Sequence, residues 1–591
     1  MGISNLLQLI GGLALFLFGM NTMGTGLEKT SGGKLEKLLE RLTSNPIKAV
    51  VLGAAVTGII QSSSATTVMV VGFVNSGIMK LSQAVSVIMG ANIGTTVTSW
   101  ILSLSGIESD NFIVNLLKPD SFAPILALLG VVLLLFFQSE SKKNIGSIFI
   151  GFGVLMFGMK AMSAAVKPLA DMPEFADILT MFTNPVLGLL VGALLTAVIQ
   201  SSSASVGVLQ ALCMTGTISI GVALPIIMGQ NIGTCITAIL SSVGANKNAK
   251  RAALIHLYFN LIGTILFMAV FYSLNGLMSF GFLDDILNPA GVAVIHTIFN
   301  ISCTVALLPF AKLLEKLAYL SLPEKNFETQ TENAGDFQLL DARFLDKTSF
   351  ATEQCRNVTS RMARLTKESM YKALGLLGQY NEDEAARVLA LEDKVDKFED
   401  ELSTYLVKLS SKNLSEKDSR TISILLHCIG DFERISDHSV NVMEAAKEMH
   451  DKKLSFSKEA TAEIRIFVEA VKEIIAITFE AFETDNTELA QTVEPLEEVI
   501  DNLNESLKKR HIKRLRTGTC TIELGFVLSD IINTFERISD HCSNVALWVL
   551  HSKEVGFDTH GYVERMRRGD NENFEAKYMQ FKGKYVLPKN G

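Results

Sequence analysis

The feature that most constrains the fold is a pair of long stretches almost free of charge. Residues 178–246 contain no Asp, Glu, Lys or Arg, and residues 49–107 contain only Lys80. Residues 1–320 carry 16 Lys and Arg against 13 Asp and Glu, whereas residues 321–591 carry 37 against 48. This division predicts a membrane part followed by an acidic soluble part. The lack of a cationic surface argues against nucleic-acid binding.

A helix needs about 20 apolar residues to cross the hydrocarbon core of a bilayer. The candidate spans are 5–27, 81–105, 121–138, 145–166, 217–243, 254–275 and 291–312. Two further apolar stretches, 46–79 and 185–215, are each interrupted by Gln-Ser-Ser-Ser. Their arms of about 15 residues are too short to cross. We therefore expect two re-entrant hairpins whose bent backbone faces protein or water rather than lipid.

Loop charges predict the orientation, because cytoplasmic loops of membrane proteins are enriched in Lys and Arg. The loops between predicted spans alternate between basic and acidic. The basic residues predicted to be cytoplasmic are Lys29, Lys34, Lys37, Arg41, Lys48, Lys80, Lys142, Lys143, Lys247, Lys250, Arg251, Lys312 and Lys316. This pattern predicts a multi-pass plasma (inner) membrane protein with its N-terminus outside and its C-terminal part in the cytoplasm. No Lys or Arg precedes the first apolar run, so we expect a retained helix rather than a signal peptide.

The membrane part repeats itself at an offset of 139 residues. Asn45-Pro46 recurs as Asn184-Pro185, Gln-Ser-Ser-Ser-Ala at 61–65 recurs at 200–204, and Asn-Ile-Gly-Thr at 92–95 recurs at 231–234. Three spans separate corresponding points, which predicts opposite orientations for repeat 1 (about 5–138) and repeat 2 (about 145–275), with an extra helix at about 291–312. Inverted repeats with interrupted helices are typical of secondary transporters.

The two hairpin tips are the candidate substrate site. Side chains there are neutral and polar, and hydroxyls can donate to an anion or offer oxygen to a hard cation. The predicted anion-binding residues are Gln61, Ser62, Ser63, Ser64, Gln200, Ser201, Ser202 and Ser203. The predicted sodium-binding residues are Thr66, Thr67, Asn92, Thr95, Thr96, Ser205, Asn231 and Thr234. The alternative is that these small residues only allow close helix packing.

A shorter pattern, His-x-x-Phe-Asn, occurs at His256 with Asn260 and at His296 with Asn300. Helical spacing places each His and Asn near one face. Two interpretations stay open: a titrating group that makes transport sensitive to pH, or hydrogen bonding between helices.

The paired hairpins resemble the type II sodium/phosphate cotransporter family over roughly residues 1–315. The resemblance implies sodium-driven symport that imports inorganic phosphate by alternating access, with Gln61 to Ser64 and Gln200 to Ser203 lining the site. Another small anion, such as arsenate or sulfate, is an alternative substrate.

The soluble half begins after a polar linker at 321–345 and is predicted to be an all-α bundle of two three-helix units over 346–555. Apolar residues recur at intervals of three and four positions, which is typical of one buried helix face. The predicted helices are 350–379, 383–411, 416–449, 459–484, 487–513 and 518–551. We expect residues 556–591 to form a charged, weakly ordered tail.

The bundle carries its own repeat, because Phe-Glu-Arg-Ile-Ser-Asp-His at 432–438 recurs at 535–541. A carboxylate pair four residues apart lies on one helix face, and two such pairs could share a metal ion. The candidate ligands are Glu392, Asp396, Glu433, Asp437, Glu497, Asp501, Glu536 and Asp540, and His438 and His541 are weaker candidates. The alternative is a solvated face with ordinary ion pairs.

The arrangement resembles PhoU, the phosphate-regulatory bundle, over roughly 345–552. The resemblance implies a divalent or iron-type metal and a regulatory role. Three functional hypotheses follow: a regulated sodium/phosphate symporter, a membrane-anchored phosphate sensor without net transport, and a metal-dependent phosphatase. No nucleophile–base pair or phosphate-binding Gly loop supports an enzyme, so we expect none. A homodimer is compatible with the sequence.

Overall fold

A computed structural model describes residues 3–31, 38–39, 45–106, 118–172, 181–323, 337–551 and 572–588. The chain forms two compact units, Met1–Lys347 and Thr348–Gly591. Regular structure in these ranges is helical, apart from one isolated bridge between Ser219 and Ile286. The predicted all-α class is confirmed. Lys34, Lys37 and Arg41, on which the predicted orientation partly rests, lie outside the described residues.

The first unit contains twelve α-helices within its described residues. They are α1 Ile3–Ser31, α2 Pro46–Ile60, α3 Ser63–Asn75, α4 Leu81–Ser103, α5 Pro119–Phe136, α6 Glu140–Val166, α7 Pro185–Ile199, α8 Ser202–Cys213, α9 Ile220–Ser241, α10 Lys247–Met278, α11 Pro289–Leu307 and α12 Ala311–Ser321. Six helical segments there are long and apolar enough to cross a membrane. The predicted span 121–138 corresponds to α5, which contains Pro124 and is among the shorter apolar helices.

Each predicted hairpin consists of two short helices, α2 with α3 and α7 with α8. Asn45 and Asn184 cap α2 and α7, since each side chain accepts hydrogen bonds from the backbone of the first turn, and a proline occupies the first helical position. The helices end and restart within Gln-Ser-Ser-Ser. That each pair enters and leaves on one membrane face stays a prediction.

Glycines bring the backbones of α2 and α4 into close contact, and the same contact recurs between α7 and α9. A Cβ atom added to Gly90 would lie 2.0 Å from the Val50 carbonyl oxygen, and one added to Gly229 would lie 2.0 Å from that of Leu189. These positions are related by the 139-residue offset. The sequence repeat is therefore also a structural repeat, and it depends on small residues at helix crossings.

The two repeats interlock through the second helix of each hairpin. Helix α3 packs against α4 of its own repeat and against α9 and α10, while α8 packs against α9 of its own repeat and against α4. Gln210 on α8 donates from Nε2 to the carbonyl oxygens of Ser99 and Pro289, each at 3.0 Å. The polar helices α4 and α9 are thus each contacted by both hairpins.

The second unit is a helical bundle of two three-helix sets. Its described helices are α13 Thr348–Leu376, α14 Glu382–Ser410, α15 Glu416–Asp451, α16 Lys458–Thr484, α17 Thr487–Ala490, α18 Val493–Arg516, α19 Ile522–His551 and α20 Glu572–Lys584. The first set consists of α13, α14 and α15, and the second consists of α16, α18 and α19. The short α17 and the C-terminal α20 pack beside the second set. Phenylalanines fill its interior: Phe432 packs on Phe479 at 5.0 Å between ring centroids, and Phe467 packs on Phe535 at 5.2 Å.

The expected weakly ordered tail contains helix α20, so that expectation was wrong for residues 572–588. Phe574, Phe581 and Tyr585 recur on one helical face and are buried. The ammonium group of Lys584 forms an ion pair with Glu473 at 2.7 Å. Burial of this apolar face offsets the high charge of the segment. Residues 552–571 and 589–591 lie outside the described part.

Candidate functional site

Each hairpin is broken at its glutamine, which adopts the left-handed helical conformation. Gln61 has φ 61° and Gln200 has φ 58°. Their backbone N–H groups donate to the carbonyl oxygens of Thr57 and Thr196, at 2.8 and 2.7 Å, and so close the last turn of α2 and α7. The left-handed conformation is uncommon for residues other than glycine. Its occurrence at the equivalent position of both hairpins therefore indicates a specific structural role.

The serine after each glutamine starts the next helix. The hydroxyl oxygen of Ser62 accepts from the Ala65 N–H at 3.1 Å, and that of Ser201 accepts from the Ala204 N–H at 3.2 Å. Helices α3 and α8 therefore begin with their first-turn N–H groups and positive dipole ends at the two breaks. Such helix starts favour anions.

The two tips differ in burial. Gln61, Ser63, Ser202 and Ser203 are buried, whereas Gln200 is exposed. Helix α1 covers the first tip, since a Cβ atom added to Gly24 would lie 3.1 Å from the Ile60 carbonyl oxygen. The buried Oε1 atom of Gln61 accepts no hydrogen bond within the described structure. The repeat is thus symmetric in backbone and asymmetric in the solvation of its glutamines. Ser62, Ser64 and Ser201 are partly buried.

Hydroxyl pairs lie directly behind the breaks. In the first hairpin, the Thr57 hydroxyl donates to that of Thr66 at 3.0 Å. The equivalent residues of the second hairpin, Thr196 and Ser205, are fully buried, and neither hydroxyl has a hydrogen-bond partner in the described ranges. The Thr67 hydroxyl donates to the Ser63 carbonyl at 2.8 Å.

The predicted sodium ligands on α4 and α9 are buried, and each of their threonine hydroxyls and asparagine amides donates a hydrogen bond to a backbone carbonyl of its own helix. Asn92 and Asn231 donate from Nδ2 to the carbonyl four residues earlier, each at 3.0 Å. Thr95 and Thr234 do the same with their hydroxyls, and Thr96 donates to the Ile93 carbonyl. Because the hydroxyl protons of these threonines are already donated, their remaining oxygen lone pairs suit a cation better than an anion.

Sequence reasoning missed two glutamines. Gln210 and Gln230 are both fully buried, and neither amide atom of Gln230 has a partner among the described residues. The residues at the matching positions of repeat 1 are Val71 and Ala91. A search for repeated motifs therefore cannot find them, although a Gln inside a long uncharged run is itself a signal.

In the bundle, six of the eight predicted metal ligands form two groups of three. Glu392 and Asp396 on α14 meet Asp437 on α15, and the second group repeats this arrangement on α18 and α19. Within each group, one oxygen per residue lies within 4.8 Å of the others. The second group consists of Glu497, Asp501 and Asp540. Clustered carboxylate oxygens fit a divalent or iron-type cation.

The other predicted ligands have different surroundings. Glu536 accepts a hydrogen bond from Asn504 and lies 3.8 Å from the Lys508 ammonium group, so it is already paired. The ring nitrogen Nδ1 of His541 lies 2.9 Å from an Asp431 oxygen. Nδ1 of His438 lies 3.1 Å from the Asn441 amide. Neither histidine joins the carboxylate groups found in the described part of the bundle.

The carboxylates of the first group repel one another and the neighbouring Glu433. Partial burial, together with the neighbouring Asp437 and Asp396, raises the pKa of Glu433 to about 7. Partial burial and like charges also raise the pKa values of Glu392 and Asp396. Burial raises the pKa of Asp437 and lowers that of His438 to about 4. A bound cation would relieve the repulsion among these carboxylates.

Residues 337–347, which directly precede the bundle, pack against the membrane unit near the end of α3. Phe344 is fully buried, packs on Phe73 at 5.6 Å between ring centroids and covers Gly72. The Lys347 ammonium group pairs with Glu28 at 2.6 Å. The last part of the predicted linker is therefore a docked segment.

Comparisons with known proteins agree with this architecture. Residues 15–164 and 154–284 each match the Na+/Pi-cotransporter family, and residues 359–446 and 464–549 each match the PhoU domain. The uncharacterized protein YqeW of Bacillus subtilis is 31% identical over 316 residues, which cover 53% of this chain and 97% of YqeW. The chain belongs to the Na+/Pi-cotransporter family. Both sequence resemblances are confirmed, and with them its nature as a membrane protein.

Two further relatives of this cotransporter-family chain carry functional names. YjbB of Salmonella typhimurium, a proposed inorganic phosphate export protein, is 25% identical over 558 residues, covering 93% of this chain and 98% of YjbB. Sodium-dependent phosphate transport protein 2A of Rattus norvegicus is 36% identical over 99 residues, covering 16% of this chain and 15% of the rat protein. The alignment with YjbB thus spans both the cotransporter part and the PhoU part of this chain.

Proposed function

We propose that this protein is a symporter that moves inorganic phosphate together with sodium, and that the two helix breaks line the phosphate site. The observation that carries the proposal is the paired left-handed glutamine, with a helix N-terminus starting behind each one. Backbone N–H groups and serine hydroxyls can hold an anion without a cationic side chain. Sodium supplies the missing positive charge.

The coupling ion is inferred from the chemistry around the breaks. Residues 178–246 offer no Lys or Arg to neutralise phosphate. The buried oxygens of Thr196 and Ser205 lie next to one break, and Asn92 and Asn231 lie on the helices that both hairpins contact. These neutral oxygens match the ligands that a hard monovalent cation takes. The family description, Na+/Pi-cotransporter, agrees with this choice.

The direction of transport depends on the gradients. A symporter is reversible, so an inward sodium gradient drives import, which is the direction that the family resemblance implies for this chain. YjbB is named as a proposed exporter. Export through the same site needs either a steep outward phosphate gradient or flux without sodium. The direction of phosphate flux under a given sodium gradient therefore tests whether the two ions are coupled.

Phosphate flux in proteoliposomes tests the proposal. Radiolabelled phosphate should accumulate with an inward sodium gradient and fail to accumulate with potassium. Ser63→Ala and Ser202→Ala should each lower uptake at subsaturating phosphate by about tenfold or more, since each removes a hydrogen bond to a charged group. Ser302→Ala on the exposed face of α11 is the control. Uptake indifferent to sodium would defeat the proposal, and binding without flux would favour a sensor.

We also propose that the bundle binds metal at its two carboxylate groups and regulates transport from the cytoplasm. The groups of three carboxylates support the metal site. The orientation inferred from loop charges puts the bundle inside the cell. Calorimetric titration of the full chain with manganese tests metal binding, and phosphate flux with and without the bound metal tests regulation. Dimerisation stays a prediction.

A further inference from the structure

Helices α10 and α11 carry the same buried polar stripe, which extends the His-x-x-Phe-Asn pattern by one more turn. The stripe on α10 is His256, Asn260 and Thr264, and the stripe on α11 is His296, Asn300 and Thr304. Residues four apart lie on one helical face. All six side chains are at most 4% exposed. Buried polar side chains within spans are costly and mark function.

Two contacts fix how the antiparallel helices α10 and α11 lie against each other. A Cβ atom added to Gly263 would lie 2.9 Å from the Cys303 sulfur. The ring of Phe267 packs edge-on against Phe299 at 5.4 Å. In this register Asn260 lies within about half a turn of Thr304, and Thr264 lies within about half a turn of Asn300. The two stripes therefore place one amide and one hydroxyl at each of two neighbouring levels, about one helical turn apart.

The oxygens of these four side chains have no hydrogen-bond partner among the residues that the structure describes. Asn260 and Asn300 donate from Nδ2 to the carbonyl oxygens of His256 and His296, at 3.0 and 2.9 Å. Their Oδ1 atoms, and the hydroxyls of Thr264 and Thr304, form no hydrogen bond with any described residue. An amide Oδ1 can only accept, so a ligand shared by these groups must be a donor or a cation.

Helix α9 forms a third wall beside the stripes. The Cys235 sulfur lies 3.4 Å from Asn260 Nδ2, and Nε2 of His296 lies 3.4 Å from Asn231 Oδ1. Asn231 is itself one of the predicted sodium ligands. The stripes are thus connected to α9, the helix that both hairpins contact.

We propose that Asn260, Thr264, Asn300 and Thr304 form a sodium site separate from the serine tips of the hairpins. Their oxygens are neutral and hard, which suits a monovalent ion, whereas a divalent ion would call for carboxylates. The inference rests on the proposed sodium coupling and assigns one sodium ion to α10 and α11. Binding at this site biases the packing of these helices against α9.

A tryptophan next to α11 provides the probe. The chain has two tryptophans, Trp100 and Trp548, and Trp100 donates from Nε1 to the Thr297 hydroxyl at 3.1 Å. Thr297 follows His296 in the chain. The full-length Trp548→Phe protein in detergent, without phosphate, is titrated with sodium chloride against choline chloride. We expect a saturable change in Trp100 fluorescence that only sodium produces.

Variants then locate the site. Thr304→Val and Asn300→Leu should raise the half-saturating sodium concentration by about tenfold or more, since each deletes one proposed ligand. Ser302→Ala and Ser273→Ala, on exposed faces of α11 and α10, should leave it unchanged. Thr304→Val keeps the shape of the side chain, and its thermal stability is measured without sodium. If that stability equals or exceeds that of the parent protein, loss of the sodium response is not caused by misfolding.

The outcomes separate this site from the proposed function. Ser63→Ala combined with Ser202→Ala should abolish phosphate flux and keep the fluorescence response to sodium. A sodium response that persists in Thr304→Val and Asn300→Leu would overturn the site and leave the stripes as packing. Sodium-independent phosphate flux in the parent protein would instead overturn the proposed function. No sodium response in the parent, with sodium-dependent flux intact, would also overturn the site.

Discussion

Asn75, the last residue of α3, donates from Nδ2 to an Asp341 carboxylate oxygen at 2.7 Å. Its own Oδ1 accepts from the Asn246 backbone N–H at 2.8 Å, at the start of α10. One side chain therefore connects the second helix of the first hairpin, the helix that carries the first polar stripe, and the segment that leads to the bundle. The segment that contains Asp341 leads directly into the second unit, which begins at Thr348.

The first prediction concerns this docked segment. Phe344→Ala should release residues 337–347, because it removes the one fully buried aromatic ring of the segment in the described structure. We expect faster amide hydrogen exchange over 337–347, and phosphate flux that no longer responds to metal bound in the bundle. Leu340→Ala, with a partly buried side chain, is the control. Unchanged exchange in Phe344→Ala would contradict the docking.

The second prediction concerns the left-handed glutamines. Gln61→Gly and Gln200→Gly should preserve the helix breaks, because glycine adopts positive φ freely. A β-branched residue cannot, so Gln61→Val should lower the free energy of unfolding by about 1–2 kcal/mol. Gln61→Gly should weaken phosphate affinity more than Gln200→Gly, since only Gln61 is buried at its tip. Equal effects of the two substitutions on phosphate affinity would show that burial of the amide is irrelevant.

The third prediction compares two glutamines of equal burial. Gln210→Leu removes the amide that donates to the carbonyls of Ser99 and Pro289 and should destabilise the membrane unit by about 1–3 kcal/mol. Gln230→Leu removes an amide that has no partner among the described residues and should be neutral or stabilising. Thermal unfolding of the detergent-solubilised protein measures both. A destabilising Gln230→Leu would indicate an interaction of that amide with substrate or ion.

The fourth prediction concerns the carboxylate groups of the bundle. Asp396→Asn should raise the melting temperature in the presence of a chelator, because it relieves repulsion with Asp437 and Glu392. The same change should reduce the stabilisation that manganese gives the parent protein. Asp383→Asn, an exposed residue in the first turn of α14, is the control. A parent protein that manganese does not stabilise would refute the metal site.

Much of this architecture was predictable because the repeats are local in sequence. The interrupted apolar runs predict the helix breaks, and the duplicated Glu-x-x-x-Asp pattern predicts groups of carboxylates on neighbouring helices. Six of the eight predicted carboxylate ligands converge, whereas Glu536 pairs with Asn504 and Lys508 through contacts between helices that no spacing rule contains.

The remaining features depend on which surfaces meet. Gln61 is buried and Gln200 is exposed, although the two motifs are identical in sequence. The sequence analysis missed helix α20 because the many charged residues of this segment indicated a weakly ordered tail. The three aromatic residues Phe574, Phe581 and Tyr585 have the spacing of one helix face, and this signal was overlooked. The unpartnered oxygens of Asn260 and Thr304 become visible only when α10 and α11 are placed in register.

The repeated glycine contacts limit which movements the proposed transport cycle can use. Because the backbones of α2 and α4 touch at Gly90, and those of α7 and α9 touch at Gly229, neither pair can slide without steric overlap. We therefore expect each pair to move as one rigid body. The conformational change then has to occur at the interfaces between the two helix pairs, where α3 contacts α9 and α8 contacts α4. A cross-link across one of these interfaces should stop transport, whereas a cross-link within one helix pair should not.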